Sequence, residues 1–497
     1  MRRSYLIIGL VAVLAVTAVF IGRFLRHRPG PARPQAKYVI VMIGDGMGAK
    51  HMEAAEQYRH APAPHAAWPH TWAATYPAEG SYDPVRAWSD FAYLTKGPTD
   101  SAAAATAMFT GVKTANGRIS VSADGKERLF SLSEEARDRG LAVGAVTTVE
   151  ISDATPGAWM AHNDHRGNGY AIADEGFWGD PEATGTTKDS PFYGGGHGPT
   201  RPPFDVLIGA GHPGWYEGSM INQAIRDKLF RESGRPGAFY FVERRSGLKD
   251  AGRGLRDLAG RPTVTRLAGL FGGNGGHFEY RLADGSGRDP ENPTLAAITL
   301  AAIDVLVRNP AGFVLLVEGG SIDLASHDGN MDRMLGEVID FDQAVQAVED
   351  WVDDPSNAVT WDNTLVLVTA DHESGFLTAG PGLFADRPLG PVDARTLALE
   401  RSVAGTELRA SWDDQNHNDK IDPGERVFWS WNSTGHSNSL VPLYGRGAGS
   451  ASLGFPTSGR DPVRGPYIQN TDIFRVAKSM LAGGSGGAIR PSGPADH

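Results

Sequence analysis

Cysteine is absent from this chain of 497 residues. Disulfide bonds are therefore excluded, and a metal site has to be built from His, Asp, Glu and hydroxyl side chains. An excess of positive charge is also missing, since 47 Lys and Arg stand against 58 Asp and Glu, for a formal net charge of −11 at pH 7. We expect no nucleic-acid-binding surface, because such surfaces need clustered Lys and Arg facing the phosphates.

No internal repeat is found, and the composition is that of a globular enzyme with long loops: 41% hydrophobic residues, 63 Gly and 32 Pro. We predict one large catalytic domain at residues 36–482, with insertions at roughly 168–217 and 380–432 where Gly and Pro are frequent or periodicity is weak. Residues 483–497 are rich in Gly, Ser and Pro and are predicted to form a disordered tail.

The N-terminal segment 1–35 is predicted to be a signal peptide or membrane anchor followed by a linker. Arg2 and Arg3 precede an apolar run at residues 5–22, a pattern shared by export signals and by single membrane anchors. More basic residues follow the run than precede it, which by charge alone would keep the next domain inside the cell. Cleavage after the run is left open.

Short apolar runs alternate with helical patterns along the chain. The runs predict buried strands at residues 38–43, 141–147, 205–208, 313–317 and 364–369. The patterns between and around them predict helices at 101–110, 131–139, 295–307 and 334–351. This alternation is typical of a three-layer α/β/α sandwich with a mainly parallel sheet, in which chemistry gathers at the carboxyl ends of the strands.

Ser101 is the candidate nucleophile, at the start of an alanine-rich helix. One interpretation is a plain N-cap serine. The other is that the free N–H groups and positive dipole end of the helix stabilise an alkoxide and a phosphoryl group on the Ser101 oxygen. No Gly-x-Ser-x-Gly motif surrounds this serine, so a metal ion is a more natural activator than a histidine base.

Carboxylates and histidines follow several of the predicted strands. Such residues alone are ordinary turn or surface residues, but together they favour a metal site. Mixed His and Asp sets suit Zn²⁺, and sets of oxygen atoms alone suit Mg²⁺. The residues are Asp45, Glu318, Asp323, His327, Asp371, His372 and, before the strand-like run 440–444, His436.

Seven motifs in order resemble the alkaline phosphatase family, and they span nearly all of the ordered chain. They are VMIGDGMG at 41–48, TDSAA at 99–103, TGVKT at 110–114, DATP at 153–156, VEGGSID at 317–323, TADHE at 369–373 and TGH at 434–436. The resemblance implies hydrolysis of phosphate monoesters to alcohol and phosphate, with Ser101 becoming phosphorylated. It also implies an exported enzyme, periplasmic or extracellular. Members of the family are often homodimers.

The resemblance implies two zinc ions and one magnesium ion. One zinc would lie on Asp323, His327 and His436, and the second on Asp45, Asp371, His372 and the Ser101 oxygen. The magnesium would lie on Asp45, Thr155 and Glu318, with Asp153 reaching its bound waters. Arg166 occupies the place of the family's phosphate-binding arginine, although its flanking residues differ from the usual text, and a surface ion pair is the alternative.

Leu324 departs from the family pattern, in which a lysine or histidine commonly follows the aspartate that is Asp323 here. A charge that would reach the phosphate or the magnesium waters is therefore missing. His162, Asp164 and His165 are candidates to compensate for it.

A second metal signal lies at residues 414–425, which follow the spacing of a calcium loop. Asp419 replaces the usual glycine at its sixth position, so bound calcium and a solvated polar loop both stay open. The ligand positions are Asp414, Asn416, Asn418, Lys420, Asp422 and Glu425.

Two other functions are compatible with the resemblance. A diesterase or sulfatase on the same fold would share the two-metal architecture but commonly uses threonine or a modified cysteine as its nucleophile. A catalytically silent protein that sequesters phosphate is the other. The intact nucleophile, Arg166 and the full ligand set count against the second.

Overall fold

The computed structural model describes residues 35–193, 201–379, 410–412, 427–453 and 457–481. The strands, numbered in chain order from β1 to β16, are Tyr38–Gly44, His70–Ala74, Ala142–Glu150, Val206–Ala210, Tyr240–Glu243, Leu267–Leu270, Phe313–Gly319, Thr364–Thr369, Glu373–Ser374, Leu377–Ala379, Ala410–Trp412, Val427–Trp431, His436–Ser437, Val441–Gly447, Gly459–Asp461 and Gly465–Gln469. The helices, α1 to α12, are Ala49–Arg59, Phe91–Leu94, Ser101–Thr110, Leu132–Asp138, Ala154–Met160, Gly169–Trp178, Gln223–Glu232, Ala251–Ala259, Leu295–Leu306, Ser321–His327, Met331–Asp353 and Thr471–Met480.

Eleven strands form one sheet in the order β15-β16-β2-β14-β8-β1-β7-β3-β4-β6-β5. The seven strands from β8 to β5 pair in parallel. Strand β14 pairs antiparallel to both β8 and β2. The predicted α/β architecture with a mainly parallel sheet is thus confirmed, with an antiparallel strand joining the two parts of the sheet.

The central strands are buried along their whole length, as their apolar runs predict. All seven residues of β1 and all nine of β3 are buried. The predicted bounds agree for β8 and for the helix Ser101–Thr110. Strand β3 continues to Glu150, beyond its predicted end at residue 147. Thr147 pairs with Glu318 of β7, and after a register shift Glu150 pairs with Ala210 of β4.

The structure differs from the predicted insertion at residues 168–217. Helix Gly169–Trp178 is largely buried, and β4 lies between β3 and β6 in the main sheet, so both belong to the framework. Strand β4 matches the strand predicted at residues 205–208, whereas the helix was not predicted, because the frequent Gly and Pro residues around it conceal its periodicity. Within the range 380–432, Ala410–Trp412 and Val427–Trp431 pair with each other beside β10 in a small separate sheet.

Several predictions lie outside the described residues: the segment 1–34, the calcium loop 414–425 and the tail 483–497. They stay predictions, as do export and a homodimer. Among the described residues, no helix combines the length and the apolar character that crossing a bilayer requires.

Two helical glycines give opposite stability predictions. A Cβ on Gly336 would lie 2.0 Å from the backbone oxygen of Arg281, so Gly336→Ala should lower the free energy of unfolding by about 1–3 kcal/mol or more. In the described structure no atom beyond its own helix lies within 4 Å of a Cβ on Gly254, so Gly254→Ala should raise it by about 0.5–1 kcal/mol. Differential scanning calorimetry measures both shifts. A similar effect of the two changes would contradict the close approach at Gly336.

Candidate functional site

Four parallel strands end in register at the same edge of the sheet. Ile43 at the end of β1 lies opposite Glu318 of β7 on one side and Thr369 of β8 on the other. Thr147 of β3 lies opposite Glu318 from the far side. Polar residues that follow these strands therefore meet at one edge, as expected for the carboxyl ends of parallel strands.

Ser101 is the first residue of its helix, but Asp100 caps that helix. Asp100 Oδ1 accepts a hydrogen bond from Ala103 N at 2.9 Å, and Asp100 has the extended backbone of an N-cap. The interpretation of Ser101 as the cap is therefore wrong. The Ser101 side chain is buried, and its Oγ lies 3.2 Å from His372 Nε2.

A first cluster of candidate ligand atoms surrounds His372. Its Nε2 lies 3.1 Å from Asp371 Oδ2, 3.4 Å from Asp45 Oδ1 and 3.2 Å from Ser101 Oγ. One imidazole N–H cannot donate to three oxygen atoms, whereas ligand atoms around a tetrahedral Zn²⁺ with bonds of about 2.0–2.1 Å lie about 3.3 Å apart. This donor set fits a zinc ion.

The second carboxylate oxygen of Asp371 is held by the backbone. Asp371 Oδ1 accepts hydrogen bonds from Gly46 N at 3.0 Å and from His372 N at 2.9 Å. These bonds orient the carboxylate so that Oδ2 faces the cluster. Such outer hydrogen bonds are typical of groups that hold a metal ion.

A second cluster consists of Asp323, His327 and His436. His327 Nε2 lies 3.2 Å from Asp323 Oδ2 and 3.2 Å from His436 Nε2, and His436 Nε2 lies 3.6 Å from Asp323 Oδ1. The Nδ1 atoms donate to backbone carbonyls, in His436 to Thr99 O at 2.8 Å and in His327 to Thr434 O. The Nε2 atoms are thereby left as the metal-binding nitrogens, and their convergence fits a second zinc ion.

Without a metal ion, the two histidines differ in proton affinity. The hydrogen bond to Asp323 raises the pKa of His327 to about 9. Burial lowers the pKa of His436 to about 4. In the metal-free protein near neutral pH, His327 therefore carries a proton and His436 is neutral. A zinc ion would have to displace the proton of His327.

A third group of oxygen atoms lies at the ends of β3 and β7. Glu318 is buried and accepts a hydrogen bond from the Thr147 hydroxyl. Thr155 is buried in the helix that Asp153 caps through Ala154 N at 2.7 Å. A set of carboxylate and hydroxyl oxygens without nitrogen fits a hard cation such as Mg²⁺.

The carboxylates of this edge repel one another. Burial raises the pKa of Asp45 well above its ordinary value, and the charges of Asp371, Asp323, Glu318 and Asp153 raise it further. Asp45 Oδ1 is buried and accepts no hydrogen bond from a described residue. Burial also raises the pKa of Glu318 to about 8. Divalent cations would supply the positive charge that this group of acids needs.

Arg166 contacts Asp100, the residue that precedes the candidate nucleophile. Its Nη1 donates to Asp100 Oδ2 at 3.2 Å and its Nη2 to Asp153 Oδ1 at 3.1 Å. Asp100 is the cap of the helix that Ser101 opens, so the guanidinium is tied to the same backbone as the nucleophile. Both ion pairs are partly buried, and both of their carboxylates lie at the candidate site. The alternative, an ion pair on the surface, would lie away from the site.

The sequence matches the family model "Alkaline phosphatase" over residues 36–481. The chain belongs to the alkaline phosphatase family. Alkaline phosphatase 4 of Bacillus subtilis is 30% identical over 531 residues, covering 96% of this chain and 98% of the relative. Streptomycin-6-phosphate phosphatase of Streptomyces griseus is 34% identical over 368 residues, covering 70% and 75%. The chain is accordingly an enzyme of phosphate monoester hydrolysis.

Solved alkaline phosphatases share the fold. The crystal structure of a cold-active alkaline phosphatase from Shewanella sp. superposes with a TM-score of 0.59 at 23% identity. It covers 89% of this chain, and 99% of that chain is covered in return.

The residues considered as substitutes for the missing charge at Leu324 have other partners in this alkaline phosphatase. His162 faces Glu175 at 3.0 Å and the Leu129 carbonyl, and is buried. Asp164 accepts from Arg118 at 3.3 Å, and the ring of His165 stacks on Phe192 at 4.3 Å. The structure thus gives no support to compensation by these three residues.

Sequence reasoning gave no role to three residues that contact the candidate ligands. Asp100 holds Arg166, Thr147 holds Glu318, and the Ser374 hydroxyl donates to Asp323 Oδ1 while lying 3.3 Å from His372 Nδ1. Asp100 lies inside one of the family motifs, and Ser374 directly follows another. The motifs were therefore an available signal for Asp100 and, by adjacency, for Ser374, whereas no motif contains or adjoins Thr147.

Replacing Asp100 by alanine should reduce both stability and activity. Loss of the helix cap should cost about 1 kcal/mol, and loss of one Arg166 partner should raise the KM for p-nitrophenyl phosphate by roughly 3–30-fold. Asp250 is a matched control, because it caps helix Ala251–Ala259 through Arg253 N and lies outside the site. Asp250→Ala should cost similar stability and leave KM unchanged. An unchanged KM in Asp100→Ala would contradict the role given to Asp100.

Proposed function

We propose that this enzyme hydrolyses phosphate monoesters through a phosphoserine at Ser101, within a site of two zinc ions and one magnesium ion. The observation that carries the proposal is the position of Ser101 Oγ, 3.2 Å from His372 Nε2 in the cluster of acids at the end of β8. The proposed zinc ligands are Asp323, His327 and His436 for one ion and Asp45, Asp371, His372 and Ser101 for the other. The proposed magnesium ligands are Asp45, Thr155 and Glu318, with Asp153 reaching its waters.

The metal ions, when bound, would lower the pKa of the Ser101 hydroxyl and neutralise charge on the attacking and leaving oxygens. The Ser101 hydroxyl gives its proton to solvent, Ser101 Oγ forms a bond to phosphorus as the bond from phosphorus to the alcohol oxygen breaks, and the alcohol leaves with a proton from solvent. Water then attacks the phosphoserine and gives a proton to solvent. The bond from phosphorus to Ser101 Oγ breaks, Ser101 Oγ takes a proton from solvent, and inorganic phosphate leaves. Two in-line displacements give net retention of configuration at phosphorus.

Two other features of the chain would stabilise the negative charge of the phosphoryl group. Ser101 opens a ten-residue helix, whose free N–H groups and positive dipole end favour negative charge on its oxygen. Arg166 is held by Asp100 and Asp153 at 3.2 and 3.1 Å, so its guanidinium is restrained beside Ser101. We infer that Arg166 binds the nonbridging phosphate oxygens, the recognition for which a planar guanidinium is suited.

The absence of cysteine excludes a nucleophile made by modifying a cysteine, as in the sulfatase alternative. A serine beside the metal-ligand candidates also differs from the threonine common in diesterases. The phosphate-sequestering alternative would leave a buried hydroxyl at the centre of a ligand cluster without a function. The phosphomonoesterase therefore accounts best for the site.

Metal removal tests the proposed site. We expect about two zinc ions and one magnesium ion per chain by mass spectrometric metal analysis, and a loss of phosphatase activity greater than about 100-fold after dialysis against a chelator. Zinc with magnesium should restore it. His436→Gln should lose one zinc ion and retain the second, because its ligand atom belongs to the cluster with Asp323 and His327. Activity that persists after all metal is removed would overturn the proposal.

A further inference from the structure

A cavity of about 410 Å³ is lined by residues other than the candidate catalytic ones. Its walls are largely apolar, and its lining includes Tyr82, Trp88, Leu94, Phe376 and Leu440. None of the candidate metal ligands, nor Ser101 or Arg166, lines it. Cavities of this size and character are typical binding sites for small molecules.

Arg464 is one of two basic residues in the lining, the other being Lys50. Arg464 Nη1 donates to the Leu440 carbonyl, and the guanidinium carbon lies 4.3 Å from the ring centre of Trp72 and 5.8 Å from that of Trp88. Burial lowers the pKa of Arg464. Among the described residues no carboxylate oxygen lies within 4 Å of the guanidinium, although the charges of Asp461 and Glu373 act on it from farther away and act to raise its pKa. A charged guanidinium in such surroundings lacks the directly hydrogen-bonded carboxylate that buried arginines usually have.

Asp461, one of the acids whose charge acts on Arg464, is already occupied by other donors. Its carboxylate accepts hydrogen bonds from Tyr82 Oη at 2.6 Å and from Trp88 Nε1 at 2.9 Å. It also accepts from the backbone N–H groups of Val463 at 2.9 Å and of Arg464 itself at 2.7 Å. These bonds hold the carboxylate against the backbone turn and the cavity wall, and leave the guanidinium unpaired.

Two acids line the cavity, and both are occupied. Asp90 pairs with Arg86 at 2.7 Å and accepts a hydrogen bond from Tyr93 N at 3.2 Å. The other acid is Glu373. Its Oε1 accepts from Leu377 N at 2.9 Å, and its Oε2 accepts from the Ser437 hydroxyl. The other cation in the lining, Lys50, pairs with Glu53 at 2.5 Å. Arg464 is therefore the cavity group whose charge-assisted hydrogen bonds are available to a ligand.

We propose that this cavity binds an aromatic monocarboxylate, with its carboxylate on the Arg464 guanidinium and its ring against Tyr82, Trp88 and Phe376. A carboxylate matches the geometry of a guanidinium, and a flat ring matches walls made of aromatic and aliphatic side chains. Trp88 is 49% exposed, so the cavity has an edge open to solvent through which a ligand enters. Glu373 follows His372 directly, so the ligand would lie against the strand next to the catalytic cluster.

Isothermal titration calorimetry of the full chain with 2-naphthoate tests the proposal. The titration is done in saturating inorganic phosphate, which occupies the catalytic site. We expect binding of one naphthoate per chain to persist, and the neutral analogue 2-naphthamide to bind at least about 10-fold more weakly, because it cannot form a charge-assisted pair with Arg464.

Two arginine variants give a matched comparison. Arg464→Gln should weaken naphthoate binding at least about 10-fold. Arg446 also stacks on a tryptophan, 3.9 Å from the ring centre of Trp361, but it is paired with Glu349 and lies outside the cavity. Arg446→Gln should therefore leave naphthoate binding unchanged. If Arg464→Gln does not fold, Trp88→Leu should still weaken binding by at least about 3-fold through the lost ring contact.

Three results would overturn the proposal. The first is the absence of naphthoate binding up to about 5 mM, an affinity below about 3 kcal/mol. The second is equal affinity for naphthoate and naphthamide, which would show that the cation plays no part. The third is displacement of naphthoate by phosphate, which would place the ligand in the catalytic site.

Discussion

Replacing Ser101 by alanine should lower kcat/KM for p-nitrophenyl phosphate by at least about 10³-fold, because the change removes the oxygen that is proposed to attack phosphorus. Ser101 Oγ lies 3.2 Å from His372 Nε2, and the helix is capped by Asp100, so the change removes the oxygen without removing the cap. The free energy of unfolding of the metal-free protein should change by less than about 0.5 kcal/mol. Steady-state kinetics and denaturant unfolding measure the two effects.

Ser131 is the matched control for this variant. It is a buried serine that does cap its helix, accepting from Glu134 N at 3.3 Å in a capping box. Ser131→Ala should therefore lose about 1 kcal/mol of stability and keep its kcat/KM. The pair separates a catalytic serine from a structural one. If Ser101→Ala retained wild-type kcat/KM, or if its main effect were on stability, the role of Ser101 would be wrong.

Replacing Asp45 by asparagine should have opposite effects on activity and on metal-free stability. Burial and four neighbouring acids raise the pKa of Asp45, so a neutral amide removes repulsion and should stabilise the metal-free protein. Asp45 is proposed to bind both a zinc ion and the magnesium ion, so the same change should reduce metal content and lower kcat/KM by more than about 100-fold. Thermal unfolding with and without metal, metal analysis and kinetics measure these effects.

The pH dependence of the metal-free protein follows from the same acids. The pKa of Glu318 rises from 4.5 to about 8 in the folded state. A raised carboxyl pKa favours folding below the unfolded value, and this contribution is lost as pH rises through about 8. The metal-free protein should therefore lose stability between about pH 4.5 and pH 8, and the metal-loaded protein should lose much less.

Asp342 is the control for Asp45, because it is a buried acid whose pKa burial raises to about 7 and it pairs with Arg59 at 2.6 Å outside the site. Asp342→Asn should leave metal content and kcat/KM unchanged. Equal loss of metal in both variants would show a general effect of removing buried charge. Lower metal-free stability in Asp45→Asn would contradict the repulsion among the acids.

Local patterns were enough to predict most of the framework. The apolar runs of β1, β7 and β8 predict buried parallel strands, because both faces of such strands are covered and carry apolar side chains. Asp323 and His327 lie four residues apart on one helix, so their proximity is also local. His436 joins them through the pairing of β13 with β9, a contact between distant parts of the chain that no local pattern contains.

The choice between neighbouring polar residues was also beyond local patterns. Asp100 and Ser101 are both residue types that cap helices, and only the position of His372, far along the chain, shows which of them faces the cluster. The same limit applies to Leu324. The sequence shows that a charge is missing there, but it does not show which partners His162, Asp164 and His165 have. Helix Gly169–Trp178 was missed because short elements between Gly- and Pro-rich loops carry little periodicity.

The most direct test of the account is acid quenching of the enzyme during turnover, followed by mass spectrometric mapping of phosphorylated peptides. The account predicts one phosphate on the peptide that contains Ser101, on the serine oxygen, and none in Ser101→Ala. Active enzyme that carries no phosphate at Ser101 when quenched, together with inversion of configuration at phosphorus, would show direct attack by water and would contradict it.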